Sequence, residues 1–180
     1  MRNVVVYELL SLDGVAERPD GFIDFNTDID GAMSDNLQRV IDTQDAVLLG
    51  RHTYDEWAQF WPAQNTLFAS FINKTDKLVA TSRSLEHSWA NASVVDGDVA
   101  KFVARLKQQP GGDIGVHGSI TLTQSLLEAG LVDQLRLVIA PTIQMHGRKL
   151  FERGIPKRLS LTRTITSSSG YLLVDFQFER

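Results

Sequence analysis

The chain has 180 residues, enough for one domain with a sizeable core. Its hydrophobic content of 43% and charged content of 22% are ordinary for a globular protein, and a net charge of −4 gives no general attraction to nucleic acid or anionic membranes. The absence of cysteine excludes disulfides, thiolate catalysis and cysteine-ligated zinc.

Membrane insertion and secretion are not expected. No apolar stretch reaches the roughly 18 residues that span a bilayer. The N-terminal residues also lack a signal-peptide pattern, because the apolar run at residues 4–10 is short and is broken by Glu8. We therefore expect a cytoplasmic protein with neither a membrane nor a nucleic acid as partner.

The first half of the chain alternates short apolar runs with helical patterns. Residues 3–11 predict a central strand, because they open with β-branched and aromatic side chains. An acidic, loop-like stretch follows at residues 18–31. Further strands are predicted at residues 46–49 and 78–80, and helices from residue 34 onward, at 55–60 and at 66–72.

The second half adds the clearest helix and a hairpin. Asp98 is a good N-cap for a helix whose apolar residues Val99, Phe102, Val103 and Leu106 fall at i, i+3, i+4 and i+7. Strands are predicted at residues 93–95, 114–116 and 134–139, and the runs at 159–166 and 171–179 predict an antiparallel β-hairpin. This order indicates an α/β fold of one domain, residues 1–180, with a mostly parallel sheet and the hairpin at its edge.

The strand at 114–116 runs into a glycine turn and a helix that ends at Gly130. We expect Ser119 to cap this helix. Free N–H groups and the positive end of a helix dipole would meet at the turn, which suits a phosphate. The spacing is not G-x-G-x-x-G, and a plain strand-to-helix turn explains it equally well.

Three predicted strand ends carry polar or glycine residues, namely Gly50-Arg51-x-Thr53, Thr81-Ser82-Arg83 and Gly115-x-x-Gly118-Ser119. With Ser11-Leu12-Asp13-Gly14 before them, this set in this order resembles the dihydrofolate-reductase-like superfamily. It is most similar to the branch that contains the reductase domain of bacterial riboflavin biosynthesis. The resemblance implies a three-layer α/β/α fold.

The resemblance also implies NADPH as cofactor. Arg51 would grip the 2′-phosphate or the pyrophosphate through its guanidinium fork. Taken singly, Arg51 is as readily a solvated charge, and Thr53 and Ser82 are as readily helix caps or turn formers. The implied cofactor-binding residues are Leu9, Leu10, Gly50, Arg51, Thr53, Thr81, Ser82, Arg83, His117, Gly118, Ser119, Ile120 and Thr121.

The substrate side is marked by fewer residues. Asp13 is a candidate to orient the substrate or relay a proton, although an aspartate before glycine is also a common turn former. Phe22, Trp57 and Trp61 are candidates to wall a pocket for a flat heterocycle, or else to be core residues. The implied activity is hydride transfer to a small heterocyclic or carbonyl-type substrate. The alternative is an inactive nucleotide-binding or assembly module of the same fold. The resemblance further implies a homodimer.

Metal sites are not expected. The segment Asn26-x-Asp28-x-Asp30-Gly31 resembles the start of a calcium loop, but Leu37 occupies the position that requires a glutamate. The four histidines show no H-E-x-x-H pattern and no i, i+4 pair.

Overall fold

The computed structural model describes residues 1–152 and 154–179. Its strands are β1 (Val4–Leu10), β2 (Gln44–Gly50), β3 (Asp76–Ala80), β4 (Ala92–Val94), β5 (Asp113–His117), β6 (Gln134–Ile139), β7 (Leu159–Thr166) and β8 (Leu172–Phe178). Its α-helices are α1 (Gly31–Ile41), α2 (Arg51–Phe60), α3 (Leu67–Lys74), α4 (Val99–Lys107) and α5 (Ile120–Glu128).

The eight strands form one sheet in the order β4-β3-β2-β5-β1-β6-β8-β7. The first six in this order are parallel, and β8 and β7 form an antiparallel hairpin at the edge. The predicted fold, a mostly parallel sheet closed by an antiparallel C-terminal pair, is therefore confirmed.

Both faces of the sheet are covered by helices. One face packs against α4 and α5, with Val103 and Leu126 in the same apolar cluster as Val6 of β1. The other face packs against α1, α2 and α3 through two clusters, one around Met33 and one around Tyr54. Because β1, β2 and β5 are covered on both sides, their apolar runs are nearly continuous rather than alternating.

Two helices begin earlier than the sequence predicts. The first starts at Gly31 rather than residue 34, because Asp30 caps it by accepting the N–H of Met33 at 2.9 Å. The second starts at Arg51 rather than residue 55, directly after β2. Tyr54 and Ala58 are both buried on its inner face, so its apolar stripe extends one turn earlier than expected.

In the part of the chain that the structure describes, no helix combines the length and apolar composition that crossing a bilayer requires.

Candidate functional site

The candidate site is the edge of the sheet where the parallel strands end. β1, β2, β3, β5 and β6 run in one direction, so the turns that follow them lie along the same edge. Open α/β sheets bind their ligands at this edge. We call it the carboxyl rim, and it consists of residues 11–14, 50–53, 81–86, 117–121 and 140–142.

The turn after β5 contains two consecutive residues with left-handed backbone. Gly118 has φ of 60° and Ser119 has φ of 63°. The Ser119 hydroxyl accepts the N–H of Gly50 at 2.8 Å and donates to Oγ1 of Thr53 at 2.8 Å. Ser119 is the N-cap residue of α5, as expected, but its side chain makes no capping bond because its hydroxyl is committed to the turn after β2. Ser119 instead fastens the ends of β2 and β5 together.

Helices α2 and α5 both begin at the carboxyl rim without a side-chain cap. The other three α-helices are capped by Asp30, Thr66 and Asp98. The first turn of a helix carries N–H groups without intrahelical partners and the positive end of the helix dipole. Since Gly50 and Ser119 share a hydrogen bond, the two uncapped starts are neighbours. The arrangement can bind a diphosphate.

Arg51 links the turn after β2 to the loop after β3. Its guanidinium group lies 2.6 Å from Oδ2 of Asp55 and 3.1 Å from Oε1 of Glu86, and it donates to the carbonyl oxygen of Ser84 at 2.8 Å. The hydrogen bond with Asp55 is the main reason that the pKa of Arg51 is raised. The guanidinium is thus held in place, but two carboxylates already oppose its charge.

The segment Thr81-Ser82-Arg83 forms the tight turn expected after β3. The Thr81 hydroxyl accepts the N–H of Arg83 at 3.1 Å, and the side chains of Ser82 and Arg83 are exposed. Because Arg51 contacts the carbonyl of Ser84, the structure brings this turn and Arg51 together at the carboxyl rim.

The two leucines at the end of β1 differ in accessibility. The side chain of Leu10 is buried in the core beneath α5, and its carbonyl oxygen accepts the N–H of Ala140 at 2.7 Å. Leu9 lies on the opposite face and is half-buried. Of the two residues predicted to line the nicotinamide, Leu9 is therefore the more accessible.

His117 turns its side chain into the interior. It is 2% exposed, its Nε2 lies 2.7 Å from Oε1 of Gln44, and its ring contacts Tyr7 and Phe68. A Cβ on Gly115 would overlap the amide oxygen of Gln44, so a larger residue there would displace the Gln44 side chain that contacts His117. Burial lowers the pKa of His117 to about 3. The imidazole is neutral and closed to solvent, so only the main chain of His117 is available at the carboxyl rim.

Replacing His117 by glutamine is expected to remove a pH dependence of stability. An unfolded histidine has a pKa near ~6.5, so below that pH the unfolded chain binds a proton that the folded protein rejects. The contribution of His117 to the free energy of unfolding should therefore fall by about 2 kcal/mol between pH 6.5 and 5. This contribution should be absent from His117→Gln, so the difference in stability between wild type and variant should change by that amount over the same range. Urea unfolding measures this, with the exposed His52→Gln as control. Equal slopes in wild type and His117→Gln would contradict the assignment.

Asp13 holds a loop. Its carboxylate accepts the N–H groups of Gln144 and Met145 at 2.9 and 3.1 Å and the hydroxyl of Ser11 at 2.7 Å. The bond from Gln144 is the largest cause of a pKa lowered to about 2. Asp13 is therefore ionised at neutral pH and serves as an acceptor for loop groups, which does not suit a proton donor.

The predicted aromatic wall is divided between two clusters. Trp57 and Trp61 pack edge-to-face with Phe68, with ring centroids 5.5 and 4.9 Å away. Trp57 also lies beside the turn, since a Cβ on Gly118 would stand 3.7 Å from its ring. Phe22 is buried in the other cluster, beneath α1. The structure thus places Trp57 at the carboxyl rim and groups Phe22 with other core residues.

Two features of the rim were not found from the sequence. Arg148 donates to the hydroxyl of Thr121 at 2.8 Å and so ties a distant loop to the start of α5, while Ile120 packs against the core. Glu86 pairs with Arg51 across the loop after β3. Neither contact leaves a sequence signal, whereas Asp55 lies four residues after Arg51 and is recognisable once α2 is extended.

The clearest concave sites lie away from the carboxyl rim. A cleft of about 360 Å³ lies at the opposite edge of the sheet, lined in part by Gly130, Lys157 and Phe178, and a shallow depression follows residues 20–26. Neither contains a residue of the carboxyl rim. The rim is instead marked by its N–H donors and by its position where the parallel strands end.

Comparison with known sequences identifies a family and two relatives. A family model described as the RibD C-terminal domain matches residues 2–173. The uncharacterized protein YyaP of Bacillus subtilis (strain 168) is 28% identical, and the match covers 98% of this chain and 95% of YyaP. The uncharacterized protein YwjB of the same organism is also 28% identical, with 83% of each chain covered.

Three solved structures have the same fold. A putative riboflavin biosynthesis protein from Shewanella sp. PV-4 superposes with a TM-score of 0.74 at 16% identity, covering 99% of both chains. A pyrimidine reductase-like protein from Corynebacterium diphtheriae gives 0.69 at 15% identity, covering 99% of this chain and 92% of that one. A diaminohydroxyphosphoribosylaminopyrimidine deaminase/5-amino-6-(5-phosphoribosylamino)uracil reductase from Thermotoga maritima gives 0.67 at 13% identity, covering 99% and 57%. At these identities the likeness establishes the fold, which is dihydrofolate-reductase-like.

Proposed function

This chain belongs to the RibD C-terminal domain family, and from that premise we propose that it is an NADPH-dependent reductase of a small heterocyclic or carbonyl-type substrate. The reductase-type family and fold support the reaction class. By analogy with the solved structures named above, the substrate would be similar to a riboflavin-pathway pyrimidine, or else, by analogy with the dihydrofolate-reductase-like fold, to a pteridine.

One observation carries the cofactor assignment, namely the pair of uncapped helix starts at the carboxyl rim. Three α-helices satisfy their first N–H groups with Asp30, Thr66 or Asp98, while α2 and α5 leave theirs for another acceptor. The Ser119 hydroxyl accepts from Gly50 and donates to Thr53, and it makes no bond to the first N–H groups of α5. The donor set therefore fits a pyrophosphate, which needs several N–H donors and a positive field.

Each segment of the rim has a role in this proposal. When bound, NADPH supplies the hydride, and the protein orients it and excludes water. The N–H groups that follow Gly118 and Gly50 would hold the pyrophosphate, and Thr53 would add a hydroxyl. Leu9 and Trp57 would border the nicotinamide ring, because the partly buried Trp57 lies beside Gly118 and the partly buried Leu9 lies at the end of β1, next to β5.

Arg51→Met is expected to weaken NADPH binding about tenfold and NADH binding less than about twofold, because the 2′-phosphate is the group that Arg51 would contact. The exposed Glu86 pairs with the same guanidinium group, so Glu86→Gln should strengthen NADPH binding by about threefold. Calorimetric titration of both cofactors measures this, with Arg105→Met on the exposed side of α4 as the matched control. Equal losses for the two cofactors, or no binding at micromolar concentration, would refute the phosphate assignment.

The alternative is a nucleotide-binding or assembly module that keeps this fold without turnover. It is favoured by the protonation states at the rim, since Asp13 is ionised and His117 is neutral with a lowered pKa. NADPH oxidation, followed by the absorbance of the reduced nicotinamide with a panel of pyrimidine, pteridine and carbonyl compounds, distinguishes the reductase from the inactive module. Binding without oxidation by any compound would favour the module.

We also propose a homodimer. It is supported by family resemblance and by the exposed apolar side chains Leu161, Ile165 and Leu172 on the edge hairpin. Light scattering tests it, and a monomer at tens of micromolar would refute it.

A further inference from the structure

The sheet face beneath α1 carries a cluster of three arginines. Arg136 of β6 pairs with Asp175 of β8, which pairs with Arg163 of β7, so the three side chains project from the same face. Arg39 of α1 closes the group from above, with Nη2 2.8 Å from Oδ2 of Asp175. We call Arg39, Arg136 and Arg163, with Asn36 and Asp175, the arginine cluster.

Two N–H groups of the arginine cluster are buried without an acceptor in the described ranges. They are Nη1 of Arg136 and Nε of Arg39. Arg136 is 8% exposed, and its Nη2 donates to Oε1 of Gln134 at 3.1 Å. A buried donor left unpaired costs free energy, and more so when it is charged. Both groups therefore require an acceptor that the described side chains do not supply.

Positive charges outnumber negative charges in and around the arginine cluster. Three guanidinium groups face the carboxylate of Asp175 and, 4.0 Å from Arg136, that of Asp113. Asn36 offers an uncharged oxygen, which accepts from Arg39 at 3.0 Å and Arg163 at 2.8 Å. Burial first, and then the charge of Arg39, lower the pKa of Arg136. Arginine nevertheless stays protonated in proteins. Within the described residues, one positive charge remains unmatched, and a water molecule would satisfy an N–H group without neutralising it.

We propose that the arginine cluster binds a small oxyanion, phosphate-like or carboxylate-like, which accepts from Nη1 of Arg136 and Nε of Arg39. Planar guanidinium groups suit such anions because they offer paired donors. The side chain of Arg39 is 35% exposed, so the site is reached past it.

This anion site is separate from the carboxyl rim. Arg136 reaches toward Gln134 and Asp113, the first residues of β6 and β5, and so toward the amino edge of the sheet. The rim lies where the same strands end. The arginine cluster therefore makes none of the proposed pyrophosphate contacts. The proposal of an anion site there does not depend on the cofactor assignment.

The test is a calorimetric titration with inorganic phosphate and, separately, with acetate, at an ionic strength held constant with chloride. We expect at least one of the two anions to bind the wild type. Arg136→Met should weaken that binding by about tenfold and Arg39→Met by about fivefold, since each removes a charged donor. Arg105→Met, on the exposed side of α4, should bind as the wild type does.

A rim variant distinguishes the two sites. Gly118→Val alters the turn at the start of α5 and should leave phosphate or acetate binding to the arginine cluster unchanged. The proposal is overturned if neither anion binds, if binding is equal in wild type and both arginine variants, or if Gly118→Val abolishes it. If Arg136→Met does not fold, the more exposed Arg39→Met gives the deciding measurement. The anion that binds the wild type more tightly identifies the ligand class.

Discussion

Replacing Glu8 by glutamine is expected to stabilise the protein by up to about 5 kcal/mol at pH 8 and above, and to have little effect near pH 4. Glu8 lies in β1 opposite Leu137 and is 4% exposed. Its Oε1 is buried without a hydrogen-bond partner in the described part of the chain. Burial raises its pKa to about 8. The folded protein therefore holds Glu8 as an uncharged acid.

The direction of this change in stability follows from how many protons the folded and unfolded states bind. In the unfolded chain a glutamate loses its proton near pH ~4.3. Between that pH and 8 the folded state carries a proton that the unfolded state has released, so the free energy of unfolding falls by about 1.4 kcal/mol per pH unit. Glutamine has nearly the same shape and does not titrate, so this loss should be absent in the variant.

Urea unfolding from pH 6.5 to 9 measures the effect with little interference from His117, whose opposite contribution is confined to lower pH. The matched control is Glu128→Gln, an exposed change at the end of α5, which should alter stability by less than about 0.5 kcal/mol. A Glu8→Gln protein that loses stability with pH as steeply as the wild type would show that Glu8 is not the group that titrates.

Local sequence signals predicted most of the fold. The helix behind Asp98 and the strand at 134–139 have strong periodicity or clear boundaries, and the structure places both where they were expected. The start of α2 was placed too late because Gly50-Arg51-His52-Thr53 resembles a turn, and only burial of Tyr54 reveals the extra helical turn. Such boundaries depend on tertiary contacts that a single sequence does not display.

The carboxyl rim was predictable in outline, because parallel strands must end on one side of the sheet. Its details were not. The Ser119 hydroxyl bonds to Gly50 from 69 positions away, and Arg51 reaches Ser84 across 33 positions. Glu8 looks like an ordinary polar residue near a strand end, yet both faces of β1 are covered. The residues with the most unusual surroundings thus carried the weakest sequence signals.

Gly118 and Ser119 connect the fold to the proposed chemistry. A residue other than glycine in left-handed backbone costs roughly 1–2 kcal/mol, and Ser119 bears that cost while its hydroxyl fastens β5 to β2. Backbone strain of this kind is often found at ligand sites, where the fixed conformation orients N–H groups before the ligand arrives. In the proposed function, this turn would hold its N–H groups ready for the pyrophosphate.

Gly118→Val is expected to weaken NADPH binding by about 100-fold, the equivalent of losing one or two charge-assisted N–H bonds to the pyrophosphate. A β-branched residue is a severe outlier at φ of 60°, so the turn should change conformation and turn its N–H groups away. Calorimetric titration with NADPH, supported by urea unfolding of each variant, measures the effect.

Gly130→Val is the matched control, because Gly130 has φ of 66° at the other end of the same helix and open space around its missing Cβ. The two substitutions impose similar backbone strain, about 1–2 kcal/mol, and Gly118→Val in addition brings its side chain against Thr53 and Trp57. Only Gly118→Val should weaken NADPH binding. If both variants bind NADPH as tightly as the wild type, the pyrophosphate does not lie at the start of α5. If both lose it equally, the loss reflects the stability of α5 rather than contacts made by the turn.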